Sequence, residues 1–273
     1  MSFTALKNQK SNLKKVILWA VGLYVMIGTI LYTIQEKILF LPTTLEQDYQ
    51  YKFETSFEEL FIKTEDGSRL NGLHFKAENP KGVVLYFHGN AGDLSRWGLI
   101  VEPFTKYNYD VIVMDYRTYG KSTGALSEKN LYEDAQLFFG YTKEHFDDKD
   151  IIIYGRSLGT GIASKLASQN NIQQLILETP YTTIVDVGKH RFPIFPVETL
   201  LKYKLPTVEY LKNVDCPITI FHGTADDVVP YKFGKELKEK YSNKIEMITI
   251  EGGGHNDLAN YMAYHENLKK VLN

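Results

Sequence analysis

Cysteine is almost absent from the sequence: Cys216 is the only one among 273 residues, so no disulfide bond can form within the chain. Basic charge is not in excess either, because the formal net charge is −2, and no RNA- or DNA-binding motif is present. The sequence also lacks a P-loop and a complete G-x-G-x-x-G, since no third glycine follows Gly159 and Gly161 at the required spacing. We therefore expect neither a nucleic acid nor a nucleotide as a ligand.

Histidines at metal-ligand spacing are lacking as well. His88 and His222 each precede a glycine at the end of a strand-like run, and no H-x-x-x-H pair joins them. We predict that these two histidines hold turns through hydrogen bonds, and we expect no bound metal and no other cofactor.

A long uncharged run is present near the N-terminus. Val16 to Ile34 is a stretch of 19 residues without a charged side chain. As a helix it would extend about 28 Å, which is close to the hydrocarbon thickness of a bilayer, about 30 Å. Lysines at positions 7, 10, 14 and 15 precede the run. We therefore predict a single-pass membrane anchor whose N-terminus is cytoplasmic, with the rest of the protein on the opposite side.

A cleavable signal peptide is the alternative interpretation of the same run. The apolar core of a signal peptide is normally shorter, and small residues mark its cleavage site. Here the run ends in Leu31-Tyr32-Thr33-Ile34, which are bulky residues. The sequence therefore favours an uncleaved anchor and leaves cleavage open.

Strand-like and helix-like segments alternate after the anchor. Residues 35–56 form a polar, aromatic connector, and two strand-like runs, Phe57 to Lys63 and Arg69 to Lys76, are joined by a turn containing Asp66-Gly67. Further strands are predicted near 82–87, 110–115, 150–154, 173–178, 217–222 and 245–250, with helices near 94–106, 127–145, 158–169, 231–241 and 257–271. An antiparallel start followed by such repeats predicts a mostly parallel sheet flanked by helices on both faces.

A G-x-S-x-G motif lies between one of these strands and the helix that follows it. Gly155, Ser157 and Gly159 are its fixed positions, and the apolar run 151–154 precedes it. Small residues on both sides of the serine allow a sharp turn, so the hydroxyl of Ser157 projects from the sheet rather than into it. The motif alone is weak evidence, but its strand–turn–helix context makes Ser157 a candidate nucleophile.

An acid and a histidine follow the serine, each just after a predicted strand. Asp226 and Asp227 follow the strand 217–222, and His255 follows the strand 245–250. Because ligands bind at the carboxyl ends of the strands of an open parallel sheet, we expect these loops to meet the serine there. A general base for the serine and an acid that orients the base would then lie together.

Backbone N–H groups for an oxyanion hole are predicted at two positions. The residue after the nucleophile, Leu158, is expected to supply one of them. The loop His88 to Gly92, which follows the strand 82–87, is expected to supply the other through Asn90.

These blocks, taken in order, resemble the α/β-hydrolase superfamily. The matching stretches are Phe87–Gly92, Asp115–Ser122, Gly155–Gly159, His222–Asp226 and Gly253–His255, and the resemblance runs from about residue 16 to the C-terminus. Together they are similar to its membrane-anchored bud-emergence (Bem) group of serine hydrolases. The resemblance implies an α/β-hydrolase fold and a hydrolase that acts on esters or fatty-acyl thioesters.

Position within the family pattern assigns roles to individual residues. The resemblance implies Ser157 as nucleophile, His255 as base and Asp226, rather than Asp227, as the acid. The chain departs from the pattern at Thr118, where that group usually has glycine, and we expect this change to reshape the loop near the site.

The region in which this fold usually inserts a cap is short. It runs from Pro180 to Cys216 and contains a proline-broken apolar stretch. We expect an open, shallow site with Phe192, Ile194 and Phe195 along an apolar substrate-binding rim; the alternative is that these residues only cover the edge of the sheet.

The sequence therefore predicts four regions: a basic tail (1–15), a transmembrane anchor (16–34), a connector (35–56) and a catalytic domain (57–273). Cleavage of acyl esters or thioesters by Ser157 is the favoured activity. A membrane-anchored serine peptidase or amidase remains an alternative, and a non-catalytic scaffold is a weaker one.

Overall fold

The computed structural model describes the backbone of residues 3–273 and the side chains of residues 12–273. The lysines at positions 7 and 10 of the predicted basic tail therefore lie outside the described side chains.

The described chain folds into alternating strands and helices. The strands, in chain order, are β1 (Leu41–Pro42), β2 (Phe57–Lys63), β3 (Arg69–Phe75), β4 (Val83–Phe87), β5 (Ala91–Gly92), β6 (Asp110–Met114), β7 (Ile151–Arg156), β8 (Gln174–Glu178), β9 (Ile218–Gly223) and β10 (Ile245–Ile250). The helices are α1 (Phe3–Leu39), α2 (Leu94–Val101), α3 (Glu128–Lys143), α4 (Gly159–Ala167), α5 (Ile184–Arg191), α6 (Val197–Leu200), α7 (Thr207–Tyr210), α8 (Tyr231–Lys240) and α9 (Met262–Val271).

Eight of these strands form one sheet in the order β10-β9-β8-β7-β4-β6-β3-β2. The pairs β2–β3 and β3–β6 are antiparallel, and all other neighbours are parallel. The predicted fold, a mostly parallel sheet that begins with an antiparallel hairpin, is thereby confirmed.

Alternate side chains of the central strands enter two separate cores. In β4, Val83, Leu85 and Phe87 belong to one buried cluster, and Val84 and Tyr86 belong to the other. All five are at most 1% exposed. A strand that is apolar on both faces is typical of a parallel sheet covered by helices on each side, so the middle of this sheet is rigidly packed.

The N-terminal helix is longer than the sequence predicted. It continues to Leu39, five residues beyond the predicted anchor, so the first part of the predicted connector is helical. The chain then forms β1, which pairs in parallel with β5, and the N–H of Leu41 donates to the carbonyl of Asn90 at 2.8 Å. The connector therefore attaches α1 directly to the loop that carries Asn90.

The loop after β6 supports the same Asn90 loop from the other side. Tyr116 and Tyr119 donate their hydroxyl protons to the carbonyls of His88 and Asn90, each at 2.7 Å. Asp115 is fully buried, and its carboxylate lies 3.5 Å from His88. These contacts fix the backbone of the loop that follows β4.

Asp115 and Arg117 are two residues apart in the sequence but do not form an ion pair with each other. Arg117 donates instead to Asp134 of α3 at 2.8 and 2.9 Å, and it also pairs with Asp66. The two side chains leave the chain in different directions, because Asp115 lies beneath the His88 loop while Arg117 reaches α3.

Thr118 has a backbone conformation that favours glycine. Its φ is 74°, and its buried hydroxyl oxygen makes no hydrogen bond to the described residues. A β-branched residue in this left-handed region is strained. The departure from the family pattern at this position is therefore accommodated as local strain in the loop that supports Asn90.

Replacement of Thr118 by glycine is expected to stabilise the protein. The substitution removes about 1–2 kcal/mol of left-handed strain from the folded state. Glycine also raises the conformational entropy of the unfolded chain, but this effect is smaller, so T118G should raise the free energy of unfolding by about 1 kcal/mol. Denaturant unfolding measures this change. The control is T43G, because Thr43 is exposed and has no positive φ; it should lower stability. Equal destabilisation by both variants would contradict the claim that the backbone of Thr118 is strained.

Candidate active site

Ser157 occupies a sharp turn between β7 and α4. Its φ is 50°, in the left-handed region, and its N–H donates to the carbonyl of Glu178 at 2.9 Å. A non-glycine residue held in this conformation is strained, and such residues cluster at functional sites. The turn projects the hydroxyl of Ser157 into a cavity at the carboxyl ends of the strands.

Glycine is required on both sides of this turn because neighbouring atoms are very close. A Cβ on Gly159 would collide with the carbonyl oxygen of Phe87. A Cβ on Gly155 would lie 2.6 Å from the carbonyl oxygen of Gly159 and 2.7 Å from the Cβ of Ala163. The small residues of the motif therefore let α4 pack directly on β4 and β7.

The structure brings Ser157, His255 and Asp226 together, although they are far apart in the sequence. The Nε2 of His255 lies 2.9 Å from the Oγ of Ser157, and its Nδ1 lies 2.8 Å from the Oδ2 of Asp226. Asp226 follows β9 and His255 follows β10, so the two loops meet at the same sheet edge. The adjacent Asp227 is exposed, so Asp226 is the one of the two aspartates that contacts His255.

The carboxylate of Asp226 is held by several donors. Its Oδ1 accepts hydrogen bonds from the N–H groups of Val228 and Val229 at 2.9 and 2.8 Å. Burial raises its pKa, but interactions with His222 and His255 outweigh burial and hold the pKa well below its usual range. Asp226 is therefore ionised at neutral pH and can orient the imidazole of His255.

His222 lies behind Asp226 and was not recognised from the sequence as its neighbour. Its Nε2 is 2.9 Å from the carbonyl oxygen of Val229 and 3.4 Å from the Oδ2 of Asp226. His222 thus holds the turn that carries Asp226. A turn-holding role is what the sequence predicts for this histidine. The available signal for the contact with Asp226 was the close spacing of the two residues at the end of β9.

Asn90 and Leu158, the two residues predicted to supply backbone donors, lie near the serine. Both line the same cavity as Ser157. None of the described residues accepts a hydrogen bond from the N–H of either. Two backbone donors without a protein partner near a serine hydroxyl can bind an oxygen that gains negative charge.

A cavity of about 320 Å³ adjoins the serine. Its wall is mostly apolar and comes from three parts of the chain. These are α1 (Leu31, Tyr32, Gln35, Ile38, Leu39), the cap segment (Ile184, Val187, Gly188, Arg191, Phe192, Phe195, Val197, Leu200, Leu201) and loops at the strand ends (Asn90, Ser157, Leu158, Tyr181, Val228, Val229). A cavity of this size and polarity is suited to an apolar group of the substrate.

Only two of the three predicted rim residues line the cavity. Phe192 and Phe195 line the cavity, but Ile194 does not, and 71% of its surface is exposed. The sequence also missed the contribution of α1, so the site is less open than the short cap suggested. A signal was available: Leu31, Gln35 and Leu39 recur at helical spacing on one face.

No metal site is found among the residues whose side chains are described. None of their clusters of histidine, cysteine, aspartate or glutamate has three members placed to hold an ion.

Comparison with known proteins gives three kinds of match. The profile of the family described as "Serine aminopeptidase, S33" matches residues 78–205. Alpha/beta hydrolase domain-containing protein 17B of Xenopus tropicalis is 30% identical over 246 residues, which cover 86% of this chain and 81% of that protein.

Solved structures share the fold at lower sequence identity. An esterase of Pyrococcus furiosus superposes with a TM-score of 0.67 at 19% identity, over 85% of this chain and 98% of the esterase. A thioesterase domain from the curacin biosynthetic pathway gives a TM-score of 0.58 at 16% identity, over 80% and 99% of the two chains.

Replacement of Gly159 by alanine is expected to destabilise the protein by about 1–3 kcal/mol, because the new methyl group would collide with the backbone of Phe87. Gly140 provides a matched control: it is an exposed residue of α3, and a Cβ there meets nothing within 4 Å. G140A should raise stability by about 1 kcal/mol through helix propensity. Denaturant unfolding of both variants measures the difference, and a G159A protein as stable as wild type would refute the close contact.

Proposed function

The chain belongs to the α/β-hydrolase family, and we propose that it is a serine hydrolase that cleaves ester or thioester bonds through an acyl-enzyme on Ser157. The observation that carries the proposal is the pair of contacts made by His255, one to the serine and one to Asp226. The narrower assignment to the bud-emergence group stays a prediction.

In the first step, the Nε2 of His255 takes the proton of Ser157 while the Oγ attacks the substrate carbonyl. Asp226 accepts the hydrogen bond from Nδ1, which sets the tautomer of the imidazole and stabilises its charged form. The N–H groups of Asn90 and Leu158 stabilise the oxyanion, and loss of one such donor typically raises the barrier by about 3 kcal/mol.

In the second step, the tetrahedral intermediate collapses and the bond to the leaving alcohol or thiol breaks. His255 returns its proton to that leaving group, and the acyl group stays on Ser157. Water then attacks the acyl-enzyme and gives a proton to His255; the bond between the Oγ of Ser157 and the acyl carbon breaks, His255 returns the proton to Oγ, and a carboxylic acid leaves. Throughout both steps, Phe192 and Phe195 contact the acyl chain in the apolar cavity.

A serine aminopeptidase is the second candidate, because the matching family profile carries that description. An aminopeptidase must bind the positively charged amino group of its substrate, and a carboxylate is the natural partner for that charge. The cavity is lined by no aspartate or glutamate among the described residues, and its single ionised group is the cation Arg191. This charge pattern favours an uncharged acyl group over a peptide N-terminus.

We also propose that α1 is an uncleaved membrane anchor with a cytoplasmic N-terminus. The helix segment Asn12–Leu39 is long and apolar enough to cross a membrane, with a mean hydropathy of 2.0 in its most apolar part. Lys14 and Lys15 precede the uncharged run, which supports this orientation. Removal of the helix as a signal peptide would also remove one wall of the cavity.

A fluorophosphonate probe tests the mechanism, because it labels only an activated serine. The purified full-length protein should be labelled and should hydrolyse p-nitrophenyl butyrate, whereas S157A should be inert in both assays. D226N should lose at least about a hundredfold in kcat/KM, since the imidazole loses its orienting charge. Equal labelling of S157A, or faster turnover of an aminoacyl p-nitroanilide than of the ester, would contradict the proposal.

A further inference from the structure

The second half of α1 is attached to the cap segment by specific contacts. Tyr24 stacks on Phe195 with ring centroids 4.9 Å apart and an interplanar angle of 6°. The hydroxyl of Tyr24 donates to the carbonyl of Ile194 at 2.9 Å. One turn further on, the Cα of Gly28 also faces Phe195: a Cβ built there would lie 3.7 Å from its ring. Such contacts are those of a packed structural element, not of a flexible tether.

Polar contacts lock the end of the helix next to the cavity. The side chain of Gln35 is 6% exposed, accepts from the N–H of Lys202 at 2.7 Å and donates to the carbonyl of Leu200 at 3.2 Å. Tyr203 donates to Glu36 at 3.2 Å. A buried glutamine amide satisfied by two backbone groups fixes both the rotation and the depth of the helix.

This rotation turns one face of α1 into the cavity. Leu31, Gln35, Ile38 and Leu39 line the same cavity as Ser157. The opposite side of the helix, including Ile30 with 46% exposure, does not line it. The helix that is apolar enough to cross a membrane is therefore also a wall of the space next to the nucleophile.

The depth of these contacts relates the cavity to the bilayer. Glu36 is the first charged residue after the uncharged run, so in the proposed anchor it would mark the level of the membrane interface. Tyr24 lies 12 residues earlier, about 18 Å along the helix axis. Because Phe195 packs on Tyr24 and the neighbouring Ile194 is 71% exposed, the tip of the cap segment would lie at the level of the hydrocarbon in a bilayer crossed by α1.

We propose that α1 is the chain-length-selective wall of the acyl site, and that the acyl donor reaches Ser157 from the bilayer, between α1 and the cap segment. The substrate class is a long-chain acyl ester or thioester that resides in the same membrane as the enzyme. Entry from the bilayer keeps the acyl chain in apolar surroundings throughout, so the chain is never exposed to water on its way to Ser157. The inference rests on the proposed serine hydrolase activity.

Arg191 is a cation that lines the cavity. It is exposed and forms no ion pair with the described residues. Such a cation suits a donor with an anionic headgroup.

Substitutions on α1 test whether this helix selects the length of the acyl chain. I38W places a large ring in the cavity, whereas I30W places the same ring on the face that does not line it. In the full-length protein in nanodiscs, I38W should lower the ratio of kcat/KM for p-nitrophenyl dodecanoate to that for the butyrate by about tenfold or more. I30W should leave the ratio unchanged.

Fluorophosphonate labelling shows that each variant is folded and active. A ratio that is unchanged in a labelled I38W protein, or that falls equally in I30W, would overturn the proposed role of α1 while leaving the hydrolase proposal intact. If I38W is not labelled, I38A serves instead: the enlarged cavity should raise the ratio, and an unchanged ratio would count against the proposal. Absence of labelling and turnover in the wild type would instead refute the hydrolase proposal.

The route is tested by where the donor resides. The enzyme in phosphatidylcholine vesicles should hydrolyse a dodecanoyl donor in its own membrane at least about tenfold faster than the same donor in separate vesicles, because confinement raises its effective concentration. Two donors, an anionic acyl phospholipid and an S-acylated peptide, distinguish the source of the chain. Equal rates in the two arrangements for both donors, with the same total donor concentration, would overturn entry from the bilayer.

Discussion

The site depends on the imidazole of His255, whose two ring nitrogens must each meet a partner from a different part of the chain. One nitrogen contacts Ser157 at 2.9 Å, and the other contacts Asp226 at 2.8 Å. This is possible because β7, β9 and β10 run parallel and end at the same edge of the sheet, so that their following loops converge. The doubly packed core beneath them keeps these loop positions fixed.

Two further constraints complete the site. Close packing of α4 on β4 requires glycine at position 159, and this packing holds Ser157 in its left-handed conformation. The loop that carries Asn90 is held by Tyr116 and Tyr119 on one side and by the β1–β5 pairing on the other. Because β1 follows α1 directly, the apolar N-terminal helix is connected to the loop that carries Asn90 as well as to the cap segment. The helix α1 and the rest of the fold are thus joined by specific contacts.

Much of the fold followed from the sequence because its signals are local. Apolar strand runs, the Asp66-Gly67 turn and helix-like segments identified the parallel sheet, with boundaries correct to within a few residues. The predicted site residues Ser157, Asp226 and His255 could be placed at one edge of the sheet, because each lies in the loop or turn that follows a strand whose end could be predicted. Their proposed catalytic roles rest on the family resemblance together with the contacts seen here.

What the sequence did not reveal depends on contacts between distant segments. The uncharged run 16–34 has the composition of a membrane span, and composition does not record that Tyr24 stacks on Phe195 or that Gln35 is buried against residues 200–202. The backbone strain at Thr118 and the pairing of Arg117 with Asp134 are likewise properties of the folded chain. The most direct test of the account is a crystal structure of the full-length protein after reaction with a long-chain alkyl fluorophosphonate. The account predicts phosphorus bonded to the Oγ of Ser157, a phosphoryl oxygen facing the N–H groups of Asn90 and Leu158, and the alkyl chain between α1 and Phe195. An adduct on another residue, or an alkyl chain that leaves the site away from α1, would contradict it.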